Sequence, residues 1–205
     1  MVVTSIEKKG KYKYFVKVDE EFVFWLSWKE LYFWNIKEGQ ELSEEQYSKI
    51  MKESILGKCK RKAVSYLKIS DRTENELRQK LRMQDYVEPI IEETIAYLKE
   101  LKYLDDDRFV ELYITTKQKS HSKKWIEMKL KQKGIKQEQI GKYMESTDEE
   151  IPLRREIEKK LKGECIKTRD EKEKIMAYLY RKGYSVQVAK RILEEYENKP
   201  QYMNT

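Results

Sequence analysis

Four lysines fall within eight residues, Lys117, Lys119, Lys123 and Lys124, around the short polar run Ser120-His121-Ser122. Cations packed this closely repel one another unless an anion lies between them, so the chemistry they suggest is recognition of a phosphate chain or an acidic protein surface. Lys129, Lys131, Lys133 and Lys136 prolong the run. A second group, Arg72, Arg78, Lys80 and Arg82, surrounds one helical stretch, with Arg78 and Arg82 four apart and so on one face. Arginine can hold a phosphate or carboxylate with two parallel hydrogen bonds, which makes these two the sharpest single candidates. Arg108 adds a further candidate. Arg181, Lys182, Lys190 and Arg191 form an equivalent group near the C-terminus.

Groups suited to catalysis are scarce. The seven glycines are scattered and build no phosphate loop, and the single histidine, His121, completes no triad or metal set. Cys59 and Cys165 lie in helical patterns without a CxxC partner and are read as two reduced thiols. Asp105 and Asp106 read as helix caps rather than metal ligands, because no third ligand is near in sequence. The expectation is a binding protein with no catalytic residue, no cofactor and no metal.

Composition bounds the partner and the compartment. Net charge is +7 over 205 residues, and it is uneven: residues 1–57 carry −1, residues 58–147 carry +6 and residues 148–205 carry +2. Charged residues make up 40% and hydrophobic residues 39%, but the apolar positions are periodic and aromatics reach 12%, so the chain reads as folded with heavily solvated faces. No signal-type leader and no apolar run of transmembrane length is present, so a cytoplasmic protein with no membrane contact is expected.

These candidates need elements to position them. Residues 1–35 read as strands: Val2–Ile6, a turn at Lys9-Gly10, the alternating Lys11–Val18, a polar turn at Asp19-Glu20-Glu21, and Phe22–Leu26. Trp25, Trp28, Phe33 and Trp34 are expected to close the core of this small antiparallel meander or dock it on the helical remainder of the chain. Ser43-Glu-Glu-Gln46 reads as a capping box opening a helix over about 44–56, with Gly57 ending it.

Beyond that point an internal repeat organises the chain. Leu77–Tyr86, Ile126–Ile135 and Ile175–Tyr184 share apolar residues at i and i+4, then polar ones, then a turn position, then an apolar residue. Leu81, Leu130 and Leu179 are each 49 residues apart, and Ile91, Ile140 and Ala189 keep register with Ile95, Met144 and Leu193. Gly134, Gly183 and Asp85 fall where a left-handed residue ends a helix. Capping boxes are read at Thr73–Glu76 and Thr168–Glu171.

The resulting division is a β extension over 1–42, a linking helix over 43–57, three-helix repeats over 58–104, 105–147 and 148–199, and a tail over 200–205. The fold class is mainly α: three tandem helix-turn-helix-like units in an elongated curved array, preceded by a β meander. A monomer is expected, since the array is self-contained.

At these residues the chain resembles the RecX family. Arg72-Thr-Glu-Asn-Glu-Leu-Arg-Gln-Lys-Leu81 is similar to the family's R-T-x-x-E-L-x-x-K-L signature. Tyr103-Leu-Asp-Asp-Asp-Arg-Phe109 resembles its Y-L-D-D-x-R-F segment, and Leu130-Lys-Gln-Lys-Gly-Ile135 its L-x-x-K-G-I. The resemblance covers residues 58 to about 197 and assigns no role to the N-terminal strands. Lys102, Asp85 and Ser122 stand where the family often has glycine, and Val110 where it has alanine. Leu77, Leu81, Leu101, Leu104 and Phe109 are expected in the core.

The resemblance implies binding to the RecA–DNA filament and restraint of its growth, ATP turnover and recombination activity. The competing expectation is an autonomous nucleic-acid-binding repeat protein that competes for DNA. Its second helices, however, lack a repeated pattern of base-reading side chains. A third, a generic scaffold, requires the basic face to be dispensable, and charge reversal at Arg78 and Arg82 would separate it from the others.

Overall fold

The fold was analysed in a computed structural model that describes residues 1–145 and 147–197. The expected tail over 200–205 lies outside these residues. The chain divides into two compact units, residues 1–105 and 106–205.

The first unit opens with β1 (Val3–Lys9), β2 (Lys13–Val18) and β3 (Glu21–Leu26), an antiparallel sheet in that order. The β2–β3 turn is made by Asp19 and Glu20, both left-handed at φ 49° and 71°, as a two-residue hairpin of the right twist demands. Gly10, at φ 72°, serves the preceding turn. Residues 39–42 return along β1, where the Gly39 N–H donates to the Val3 carbonyl at 2.8 Å.

Strands do not fill residues 1–35 as the sequence suggests. Trp28–Trp34 forms a helix, α1, with a complete capping box: Ser27 accepts from the Glu30 N–H and the Glu30 carboxylate accepts from the Ser27 N–H. The signal, Ser27-Trp-Lys-Glu30, was present but masked by the β-forming aromatics around it. On this helix Trp28 and Phe33 point outward, 65% and 75% exposed, so only Trp25 and Trp34 of the four aromatics pack against the core.

α2 (Glu44–Lys49) begins at Ser43, whose hydroxyl accepts from the Gln46 N–H. The box is only half made, because the Gln46 amide reaches the Trp34 carbonyl instead. Gly57 does not end this helix. It sits at φ −60°, and the chain runs on through a π-helical segment (Ile50–Leu56) into α3 (Gly57–Ile69). Ile50 and Ile55, and Met51 and Leu56, are all buried, and their five-residue spacing matches the i→i+5 winding.

With α4 (Glu74–Arg82) and α5 (Glu88–Glu100), these elements share one core. It runs from Val16, Phe24 and Leu26 of the sheet through Cys59 and Ala63 to Leu77, Leu81, Ile91 and Leu98. Polar contacts fasten the sheet to the α4–α5 turn: Lys13 pairs with Asp85 at 2.7 Å, and the Trp25 indole donates to the Gln84 carbonyl at 3.2 Å.

The second unit holds α6 (Asp106–Lys117), α7 (Lys123–Gln132) and α8 (Gln137–Met144), around Val110, Ile114, Ile126, Leu130 and Ile140. α9 (Glu150–Leu161), α10 (Arg169–Arg181) and α11 (Val186–Glu197) come next, around Leu153, Ile157, Leu179, Ile192 and Leu193. The fold is therefore mainly helical, with three tandem three-helix units preceded in the chain by a three-stranded antiparallel sheet.

Asp85, Gly134 and Gly183 are left-handed, at φ 65°, 85° and 86°. Thr73–Glu76 is a full capping box. At Thr168 the box is offset, since the hydroxyl accepts from the Glu171 N–H but the Glu171 carboxylate takes the Lys167 N–H. Cys165 lies in the α9–α10 loop rather than in a helix. Leu101 is 46% exposed at the end of α5, while Leu98 and Leu104 hold the buried positions expected of it, and Phe109 is half-buried.

Lys102, which stands where the resemblance implies glycine, is held at φ 55°. A left-handed lysine costs roughly 1–2 kcal/mol, which glycine relieves at a smaller entropic cost. Lys102→Gly is expected to raise the unfolding free energy of the first unit by about 0.5–1 kcal/mol in a urea titration. A loss of stability would mean that the turn takes another backbone conformation.

Candidate partner-binding surface

In the first unit, the arginines of α4 are taken up by carboxylates of the same unit. Arg78 is 16% exposed, and its Nε donates to Glu74 at 2.7 Å. Its Nη1 reaches Glu88 at 3.2 Å and Glu92 at 2.7 Å, and its Nη2 reaches Glu92 at 2.9 Å. These carboxylates hold its guanidinium well above the ordinary arginine range, Glu92 most strongly. Arg82 grips Glu88 with two bonds of 2.9 Å. Lys80 lies over the Tyr66 ring at 5.3 Å. Arg72 is half-buried, and its Nε has no hydrogen-bond partner among the described residues. Arg78 and Arg82 thus brace α4 against α5, and charge reversal there would remove that brace together with the charge.

In the second unit the lysine-dense turn presents itself differently. Residues 117–136 hold eight lysines and one glutamate, a net +7 that equals the charge of the whole chain. Lys117, Lys119, Lys123 and Lys124 form no salt bridge among the described residues; Lys119 and Lys124 are exposed, Lys117 and Lys123 partly so. Lys131 pairs with Glu127 at 2.8 Å. Lys129 lies 5.7 Å from the Trp125 ring and donates to Gln132, and Lys133 lies over Phe109 at 5.5 Å. Lys136 is exposed just before α8, and Arg108 is exposed in the first turn of α6.

The turn is held rigidly. Ser122 caps α7, accepting from the Trp125 N–H at 3.3 Å, and its hydroxyl donates to the Lys182 carbonyl at 2.7 Å. One buried hydroxyl thereby starts α7 and ties it to the end of α10. Gly183 permits the approach: a Cβ there would meet Ser122 Oγ at 3.0 Å and Lys124 Cβ at 3.2 Å, besides the strain of φ 86°. Arg155 of α9, which sequence reasoning passed over, donates to the Lys119 carbonyl at 2.9 Å. His121 stacks on Trp125 with ring centres 3.7 Å apart. Burial holds its imidazole below the ordinary histidine range, and the positive charges of Lys117 and Lys182 push the same way, so it stays neutral near pH 7.

The candidates after Gly163 are divided. Lys182 joins the turn, although its amine also reaches Glu156 at 3.2 Å. Arg181 and Lys190 are exposed without a salt bridge among the described residues. Arg191 pairs with Glu150, within a network that also joins Arg154 to Glu195 at 2.7 Å. The chemistry of the surface is therefore that of a fixed cationic ridge, with its ammonium groups set out by α6, α7 and the α10–α11 turn. Among the described residues no cluster of His, Cys, Asp and Glu could hold a metal ion, and no helix is long and apolar enough to cross a membrane.

Comparison with known proteins agrees with this architecture. Family models for the first, second and third three-helix domains of RecX match residues 59–98, 105–144 and 153–193. The chain is 30% identical to "Regulatory protein RecX" of Clostridium acetobutylicum over 203 residues, covering 94% of this chain and 95% of that protein. It is 30% identical to the protein of the same name from Listeria innocua, covering 91% and 71%. A crystal structure of regulatory protein RecX has the same fold, with a TM-score of 0.63 at 22% identity, covering 95% of this chain and 98% of that one. That of RecX from Lactobacillus salivarius has a TM-score of 0.62 at 25% identity, covering 69% and 96%. With three successive domains matched and relatives 30% identical over more than nine-tenths of this chain, it belongs to the RecX family of regulatory proteins.

Proposed function

We propose that this protein is a cytoplasmic, monomeric restraint on the RecA recombinase. It binds the RecA–DNA filament through the lysine ridge of its middle unit, limiting filament growth, ATP turnover and recombination, and it performs no chemical step itself. Family membership supports a regulator. The observation that carries the site is the net +7 across residues 117–136, with Lys117, Lys119, Lys123 and Lys124 forming no salt bridge among the described residues at a turn pinned by Ser122 and Arg155. Cations without a salt bridge keep most of their field for a partner, although Glu149 and Glu127 draw on Lys123 and Lys124, and the backbone that carries them is already fixed by folding.

The test is RecA ATP turnover on single-stranded DNA, with this protein titrated in at fixed moderate salt. Turnover is expected to fall at protein levels well below those that coat the free DNA. A fall that begins only when the DNA is saturated would instead show competition for DNA, and the reading as a filament modulator would be abandoned.

A further inference from the structure

Beside the lysine ridge, within the second unit, lies a groove of about 940 Å³. One wall is α7, with Lys123, Lys124, Met128 and Lys131; the other runs from Tyr180 at the end of α10 through Gly183 and Tyr184 of the turn to Val186 at the start of α11. Met128, Tyr180 and Val186 are 43%, 62% and 51% exposed. They are three of the five exposed large apolar side chains of described residues 106–197, and they line one groove. Exposed apolar side chains gathered in one groove and rimmed by charge make it a candidate interaction site.

The groove is preformed, since Ser122 and Gly183 lock its two walls together. Glu149 also lines it, and burial raises its carboxyl above the ordinary carboxylate value despite the Ser185 backbone N–H and the positive charge of Lys123.

We propose that this groove docks a segment of an acidic, apolar-bearing polypeptide, with its apolar side chains on Met128, Tyr180 and Val186 and its carboxylates on Lys123 and Lys124. The inference rests on the functional reading above in taking this face to meet a partner, and it adds that a protein segment makes the contact. Charge complementarity favours an acidic occupant: Lys123, Lys124 and Lys131 outnumber Glu127 and Glu149 in the lining, and of the three only Lys131 forms a salt bridge among the described residues, with Glu127. The lining itself disfavours a nucleic acid. Single strands bind by stacking successive bases on several aromatic faces, whereas Tyr180 is the one exposed ring here. Glu127 and Glu149 also stand in the lining, where an unbroken phosphate chain would meet them. A peptide can place its carboxylates opposite the two lysines and its apolar side chains elsewhere.

The experiment is fluorescence anisotropy on the full chain with three labelled probes. The first is a short peptide alternating Glu with Leu and Phe, the second an oligo-glutamate of equal length, and the third an oligothymidylate. The mixed peptide is expected to bind about tenfold more tightly than oligo-glutamate. Met128→Ser with Tyr180→Ser, both exposed and so tolerated by the fold, should weaken it about tenfold while leaving oligothymidylate unchanged. Equal affinity for the two peptides, or an equal loss for oligothymidylate, would overturn the proposal, the latter by showing a nucleic-acid groove. The two readings fail separately. A chain that restrains RecA yet ignores these peptides refutes the groove alone. One that binds them through Met128 and Tyr180 yet leaves RecA turnover untouched upholds the groove and refutes the RecA reading.

Discussion

Replacing Lys117, Lys119, Lys123 and Lys124 together by glutamine is expected to lower the potency of RecA restraint by about ten- to a hundredfold at moderate salt, with the fold intact. Each cation that faces a phosphate or carboxylate contributes on the order of 1 kcal/mol or less at an exposed site, so four in concert span this range. None of the four forms a salt bridge among the described residues, and glutamine suits a helix about as well as lysine does. Thermal stability should therefore hold or rise slightly as like charges are removed.

The salt dependence supplies a second readout. If the ridge meets phosphates, the slope of log potency against log salt should flatten by somewhat less than one unit for each phosphate that a substituted lysine had neutralised. Unchanged potency in a folded quadruple variant would remove the ridge from the interface. Arg78 and Arg82 cannot serve as the first test, because Glu74, Glu88 and Glu92 already hold them and any fall in activity would be entangled with a loosened α4.

That contrast marks the boundary of what sequence can disclose. Helix positions were legible because caps and apolar spacing act within a few residues: Thr73 and Thr168 each begin a helix through their own hydroxyls. The 49-residue register was legible for the same reason, being a repetition of local signals. The fate of a charge is settled by residues distant in sequence. Glu88 and Glu92 reach Arg78 from the next helix, and nothing near Arg78 announces them.

Gly57 misled because a glycine after an apolar run reads as a stop, whereas burial of Ile55 and Leu56 against the core carries the helix through it. Leu101 misled because spacing alone does not say where a helix ends, and Leu98 and Leu104 took the buried places. The groove was invisible in the sequence, since Met128 and Tyr180 come to line one groove only when Ser122 closes on Lys182.

The second large effect is expected at Glu156, whose side chain is 8% exposed between α9 and α10. Burial alone would raise its carboxyl. The Tyr178 hydroxyl at 2.6 Å, Lys159 at 3.0 Å and Lys182 at 3.2 Å outweigh that and hold it down at about 2, against an ordinary value of 4.5. A depressed carboxyl stabilises the folded state fully above the unfolded value, and that contribution is lost as pH falls from about 4.5 towards 2. The shift corresponds to roughly 3 kcal/mol at neutral pH as an upper figure.

Glu156→Gln should accordingly destabilise the second unit by about 2–3 kcal/mol at pH 7, because two ammonium groups lose their counter-charge and one of the two accepting oxygens becomes a donor. The difference between wild type and variant should shrink as pH falls below about 4.5 and be mostly gone near pH 2, where the native carboxyl is half protonated. Hydrogen exchange of the α9 and α10 amides, compared between the two proteins at each pH, reads this directly. A difference that stays constant down to pH 2 would mean that Glu156 acts by shape and hydrogen bonding alone. Lys182, released from Glu156 in the variant, would then be a free cation beside Ser122. At neutral pH the variant should hold anionic partners at least as well as wild type in any assay run where the unit remains folded, which separates its stability role from the ridge's binding role.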